Sequence, residues 1–150
     1  VSDDTATKVA AALRDAFTAG PEAAQTTLRS LYGDAVDYRH NPPMPSDGVV
    51  VGERLCEASG REAAAINSAI PGFRYEGLEV TIGDDDRVHV KVWIVGTLGN
   101  GTEVRVPSNM YCTVRDGHIV GMEHMMDADA MAAWADVATA AGLQVGKDKS

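Results

Sequence analysis

The sequence predicts an α+β fold in one domain, on two patterns and one turn. In the first thirty or so residues the apolar positions recur at helical spacing. From Phe73 to Asp127 they alternate at the period of two that marks strands. Between two runs of Val, Ile, Met and Tyr stands Arg115-Asp116-Gly117, where Asp-Gly forms a hairpin turn and the Gly takes positive φ. Helices first, then a meander of long antiparallel strands, make an α+β arrangement. Such a sheet, curled around the helices, leaves a cone-shaped cavity with apolar walls and a few polar groups.

Ser2 to Thr5 offers N-caps with acidic neighbours, and Val9, Leu13 and Phe17 then recur at i, i+4 and i+8. A first amphipathic helix therefore runs to Gly20. Pro21 suits the first position of a second helix, with Leu28 and Leu31 on its buried side and Gly33 as its stop. Asp34 to Asn41 is a short, mostly polar extended piece halted by Pro42-Pro43. From Pro42 to Gly60 the pattern is weak, which predicts a long loop with one short strand at most, placed as a flap over a pocket. A third helix starts at Glu53 or Gly60 and ends before Pro71-Gly72. Phe73 to Ile82 and Arg87 to Thr97 are strands, with Asp84-Asp85-Asp86 as the solvated turn between them. Asn100-Gly101 turns the chain into the hairpin of Glu103 to Asp127. Asp127 or Asp129 caps a last helix with Met131, Trp134 and Val137 as its apolar stripe and Gly142 as its stop. The domain covers residues 1–145, and 146–150 form an expected flexible tail.

A chain of 150 residues suffices for one domain with a real core. Its net charge of −9 and pI near 4.7 argue against nucleic-acid or anionic-membrane partners, which would need a basic patch. No run approaches the roughly 20 apolar residues of a membrane helix. Cys56 and Cys112 form neither a disulfide framework nor a Cys-x-x-Cys pattern, and the expected compartment is cytoplasmic. Opening on Val1, the chain is expected to have lost an initiator methionine or a longer N-terminus.

The most informative polar placement is on the second strand of the hairpin. Counting from the turn, Val120, Met122, His124 and Met126 share one face, with Met110 on the strand beside them. An apolar surround favours the neutral imidazole, and neutral imidazole can take a proton from a carbon acid and return it elsewhere. The plainer alternative is a buried histidine hydrogen-bonded to backbone or water.

Three further stretches carry a resemblance. His40-Asn41-Pro42-Pro43, Ile70-Pro71-Gly72-Phe73-Arg74-Tyr75-Glu76, and Val104-Arg105-Val106-Pro107 with Val114-Arg115-Asp116-Gly117-His118-Ile119-Val120 occur in that order. The set resembles the SnoaL-like polyketide cyclases of the nuclear transport factor 2-like superfamily, over roughly Leu28 to Asp127. The resemblance implies a cone-shaped α+β barrel, a curved antiparallel sheet wrapped around N-terminal helices, and a homodimer through the sheet. It places the family's acid/base Asp at His124 and that residue's polar partner at Met110; Arg39 stands where an Asp is expected. The epoxide hydrolases of this fold use an Asp-Arg-Asp set, for which the matching region offers Lys91, Trp93 and His124. Ketosteroid isomerases need a carboxylate base, and Asn41 stands at that position, with Asp37 nearby.

The expected activity is cofactor-independent proton transfer of cyclase, isomerase or dehydratase type on an apolar cyclic or polyketide-like small molecule. His124 and His40 are the candidate acid/base groups, and Asn41, Lys91, Trp93, Met110, Met122 and Met126 the substrate contacts. For His40 the alternative is a loop histidine satisfying the turn before the prolines, and for Asn41 a turn hydrogen bond. Alternation does not decide whether the face of Lys91 and Trp93 lines the cavity or the outside, because the opposite face is apolar too. Glu123 should point away from His124, and His89 and His118 read as surface residues. An outer face with alternating apolar residues supports the dimer. Scattered His and carboxylate positions point to no metal, and phosphate loops and dinucleotide fingerprints are missing. The rival reading is a non-catalytic module of the same fold that binds an apolar ligand or dimerises.

Overall fold

The computed structural model describes residues 2–45, 47–85 and 87–140. The expected stop at Gly142 and the tail at 146–150 lie outside the described residues. Four helices and six strands follow in the order α1 (Ser2–Ala19), α2 (Pro21–Leu31), β1 (Tyr32–Asn41), β2 (Gly48–Val51), α3 (Gly52–Ala69), β3 (Arg74–Ile82), β4 (Val88–Thr97), β5 (Glu103–Arg115), β6 (His118–Met125) and α4 (Ala128–Ala140). The strands form one sheet in the order β2-β1-β6-β5-β4-β3. The α+β class predicted from the sequence is the one observed.

Sheet pairing is mixed rather than wholly antiparallel. β1 runs parallel to β6, and the other neighbours are antiparallel. A parallel neighbour needs a long crossover, supplied here by everything from β2 to β5. The consequence for the site is direct: register sets Tyr38 beside Met122 and His40 beside His124.

Helices α1, α3 and α4 lie against the sheet, and α2 packs on α1 and α3. Val9 and Leu13 of α1 and Leu28 of α2 pack with Val36, Val88, Val90, Cys112 and Ile119 in the main core. A smaller cluster gathers Ile70, Phe73, Ile94, Val106 and Val137, with α4 lying against β5. Burying a side chain such as Leu13 fully contributes about 1.5–3 kcal/mol, and Leu13 is completely inaccessible.

Several local expectations need correcting. Gly33 does not stop α2; the helix ends at Leu31 and Gly33 is already strand. Its carbonyl lies under Gly52, where any Cβ would sit 2.2 Å from the oxygen, so this crossing of α3 over β1 demands glycine. Between Pro42 and Gly60, β2 is the one short strand allowed for, and α3 begins at Gly52, which decides for the Glu53 start over Gly60. At the hairpin Asp116 (φ 52°) and Gly117 (φ 79°) are both left-handed, as a two-residue primed turn requires. Just beyond it the pairing slips between Thr113 and Val114, a bulge that puts Ile119 opposite Val114. Ile119 is therefore buried and Val120 is shifted off the face of Met122. Asp127 caps α4 through the Ala130 N–H (2.8 Å), while Met131 is half exposed and Ala130 and Val137 form the buried stripe.

Candidate functional site

Between the inner face of the sheet and the helices lies a cavity of about 90 Å³. Its sheet wall includes Tyr38, Val90, Val92, Ser108, Met110 and His124, and its helical wall Phe17, Gln25, Leu28, Ser59 and Ile66. The wall is apolar and aromatic, broken by a few hydroxyls, one amide and one imidazole. Among the described residues no group of three His, Cys or carboxylate side chains converges as a metal ion would need.

His124 reaches the cavity because β6 alternates Met122 and His124 onto the inner face, opposite Cys112 and Met110 of β5. The Tyr38 ring stands edge-on to it at 5.5 Å, and the His40 ring lies nearly parallel at 5.8 Å. Burial strips water from the imidazole and pushes its pKa down from 6.5 to about 4, with repulsion from His40 acting in the same direction. At neutral pH the ring is uncharged.

His40 is not in a loop but near the end of β1, and it backs onto His124 rather than lining the cavity. Its Nδ1 is 2.7 Å from Oδ1 of Asp47. The other carboxylate oxygen of Asp47 accepts the backbone N–H of His40 (3.0 Å) and that of Met44 (3.1 Å). These bonds, the one from the His40 ring foremost, hold the Asp47 carboxyl down to about 2. Tyr38 meets the His40 ring edge-on at 5.0 Å, so one phenol touches both imidazoles.

Met110 and Met122 line the cavity as expected from their face of the hairpin. Four other candidates do not. Lys91 and Trp93 occupy the opposite face of β4, because Val90, Val92 and Ile94 take the inner one. Trp93 lies under the Arg105 guanidinium at 4.7 Å, and Lys91 is exposed. Asn41 is exposed at the end of β1, where its carbonyl accepts the Met126 N–H at 2.7 Å. Met126 has already left β6 and stands outside the cavity wall.

On the outer face Glu123 pairs with Arg87 at 3.2 Å, pointing away from His124 as predicted. His89 stacks on Tyr111 at 4.2 Å, and His118 is exposed. This face is charged and aromatic rather than apolar.

Sequence reasoning missed Asp47, Tyr38, Tyr75, Gln25, Ser59 and Ser108. Tyr38 was within reach of it, since Tyr38 and His40 share a face by simple alternation. Asp47 carried only the signal of a Ser-Asp-Gly turn.

No family profile matches the chain, and no curated protein sequence does. Solved structures match along most of its length. A candidate SnoaL-like polyketide cyclase from Jannaschia sp. CCS1 is 18% identical with a TM-score of 0.61, over 89% of this chain and 92% of its own. A candidate polyketide cyclase from Xanthomonas campestris pv. campestris is 18% identical with a TM-score of 0.62, over 91% and 99%. TerC, co-crystallised with polyporic acid, is 20% identical with a TM-score of 0.56, over 91% and 98%. These likenesses establish the fold: the chain adopts the SnoaL-like, nuclear transport factor 2-like architecture that its motifs implied.

Proposed function

We propose that the protein is a cofactor-independent proton-transfer enzyme of cyclase, isomerase or dehydratase type. Its substrate is an apolar cyclic or polyketide-like carbonyl compound. His124 is the acid/base group and His40 a second one behind it. The observation that carries this reading is a neutral imidazole in the cavity wall, among the described residues the one titratable nitrogen there, set among apolar and aromatic side chains and a few hydroxyls. In the step, a proton on carbon beside a carbonyl passes to the bare nitrogen of His124 and the electron pair moves onto the carbonyl oxygen. The imidazolium then returns the proton to another position, leaving His124 neutral and no net charge transferred. A conjugate acid near pKa 4 makes a weak base, so the reading favours an activated C–H, as in a β-dicarbonyl or aryl ketone.

Cavity size narrows the substrate. A volume of about 90 Å³ accommodates on the order of six to nine waters at roughly 10–15 Å³ each, the bulk of one or two fused rings. The fold neighbour crystallised with polyporic acid supports a ring compound as occupant.

The test uses β-tetralone, a two-ring ketone with an activated C–H, in deuterium oxide. Wild type should accelerate deuterium incorporation by about 10²–10⁴-fold, and His124→Gln should lose that acceleration while still binding the ketone. A second reading, a non-catalytic ligand-binding module, is favoured by Met110, the apolar cross-strand neighbour of His124. Binding without acceleration in wild type would establish it. The homodimer through the sheet belongs to this proposal too, on the family resemblance alone, since the outer face is charged and aromatic; elution at twice the 15.8 kDa chain mass supports it, and elution at the chain mass removes it.

A further inference from the structure

Asp47 lies outside the cavity wall, yet it is bound more completely than a turn requires. Its carboxylate keeps only a tenth of its side-chain surface exposed and the His40 ring about a seventh (10% and 15%). One oxygen takes two backbone N–H groups, those of His40 and Met44, and the other faces His40 Nδ1. A carboxylate ionised down to about pH 2 has only lone pairs to offer. The proton between the two groups therefore belongs to His40 Nδ1. In the neutral ring Nε2 is then bare, on the side turned away from Asp47. Two rings complete the restraint: Tyr38 edge-on at 5.0 Å and His124 nearly parallel at 5.8 Å.

We propose that Asp47 is a positioning residue of the site. It fixes neutral His40 as the Nδ1–H tautomer and holds its ring plane against His124, so that His40 presents a lone pair at Nε2. His40 is thereby set up to accept a proton at Nε2, which an unclamped imidazole with its proton on Nε2 could not do at that atom without first changing tautomer. The consequence for turnover rests on the proton-transfer reading above; the tautomer itself does not.

The arrangement makes Asp47→Asn a directional test. Two backbone N–H groups converge on one position, so the substituted amide must turn its carbonyl oxygen there. Its NH₂ then faces His40 Nδ1, which can only accept, and the ring proton is forced onto Nε2. Imidazole nitrogen NMR, at a pH where His40 is neutral, reads this directly. Wild type should show a protonated Nδ1 and a bare Nε2, and Asp47→Asn the reverse, with the backbone bonds of the turn retained. A proton on Nε2 in wild type overturns the inference even if the variant fails to fold; an unchanged tautomer in the variant overturns it too. With β-tetralone, the variant should lose about ten- to a hundredfold in deuterium incorporation with binding kept. A reversed tautomer with no acceleration in wild type would leave the clamp standing and sink the enzyme reading instead.

Discussion

Replacing His124 by Gln should flatten the acid limb of the stability curve. In the unfolded chain His124 titrates at its ordinary 6.5, whereas in the folded protein it takes a proton only near pH 4. Between those values the unfolded state binds more protons, so stability falls as pH falls. The contribution is complete above pH 6.5, is lost progressively down to about pH 4, and is constant below that. The interval corresponds to roughly 3 kcal/mol at full burial, and to about 2–3 kcal/mol with allowance for the ring surface that opens on the cavity. Asp47 does not interfere, since its shift runs from 3.8 down to about 2 and acts below this window. Urea unfolding of wild type and His124→Gln at half-unit steps from pH 7.5 to 4 measures the difference between the two curves. Parallel curves would refute the reasoning, because they would mean that the imidazole titrates alike in both states.

Three other substitutions or reactions follow from contacts in the fold. Gly52→Ala should destabilise by about 1–3 kcal/mol or more, because its Cβ would lie 2.2 Å from a backbone oxygen that cannot move aside; thermal unfolding checks it. Gln25→Met should stabilise by about 1 kcal/mol, since the amide oxygen of Gln25 is buried without a hydrogen bond and Met has a similar shape; a lower melting temperature would show that the amide is held after all. A thiol reagent should modify Cys56 alone in the native protein and both cysteines on unfolding, because burial pushes the Cys112 thiol up to about 12 while Cys56 is partly exposed.

What could be read in the sequence was what is fixed locally. Arg115-Asp116-Gly117 specifies its turn through two residues that accept left-handed backbone, and this hairpin brought Met110, Met122 and His124 onto one face without any tertiary information. Val120 was misplaced because a bulge breaks the count from the turn, and a bulge leaves no mark in alternation when both neighbours are apolar. Lys91 and Trp93 failed for a related reason: β4 is apolar on its inner face and carries Trp93 and Val95 on the other, so burial alone could not orient it. The parallel union of β1 with β6 is a choice of partner far along the chain. The His40–His124 stack depends wholly on it. Asp47 meets His40, seven positions earlier in the chain, through two hydrogen bonds and Met44 through a third, and no periodicity encodes these contacts.

The four histidines supply their own controls for the measurement that bears most directly on the site. With β-tetralone added stepwise to histidine-labelled protein, the ring signals of His124 should move with a saturating curve. Those of His89 and His118, on the outer side of the sheet and at the hairpin turn, should stay fixed. An unmoved His124 signal, or equal movement of His89 and His118, would contradict a ligand site between the helices and the sheet.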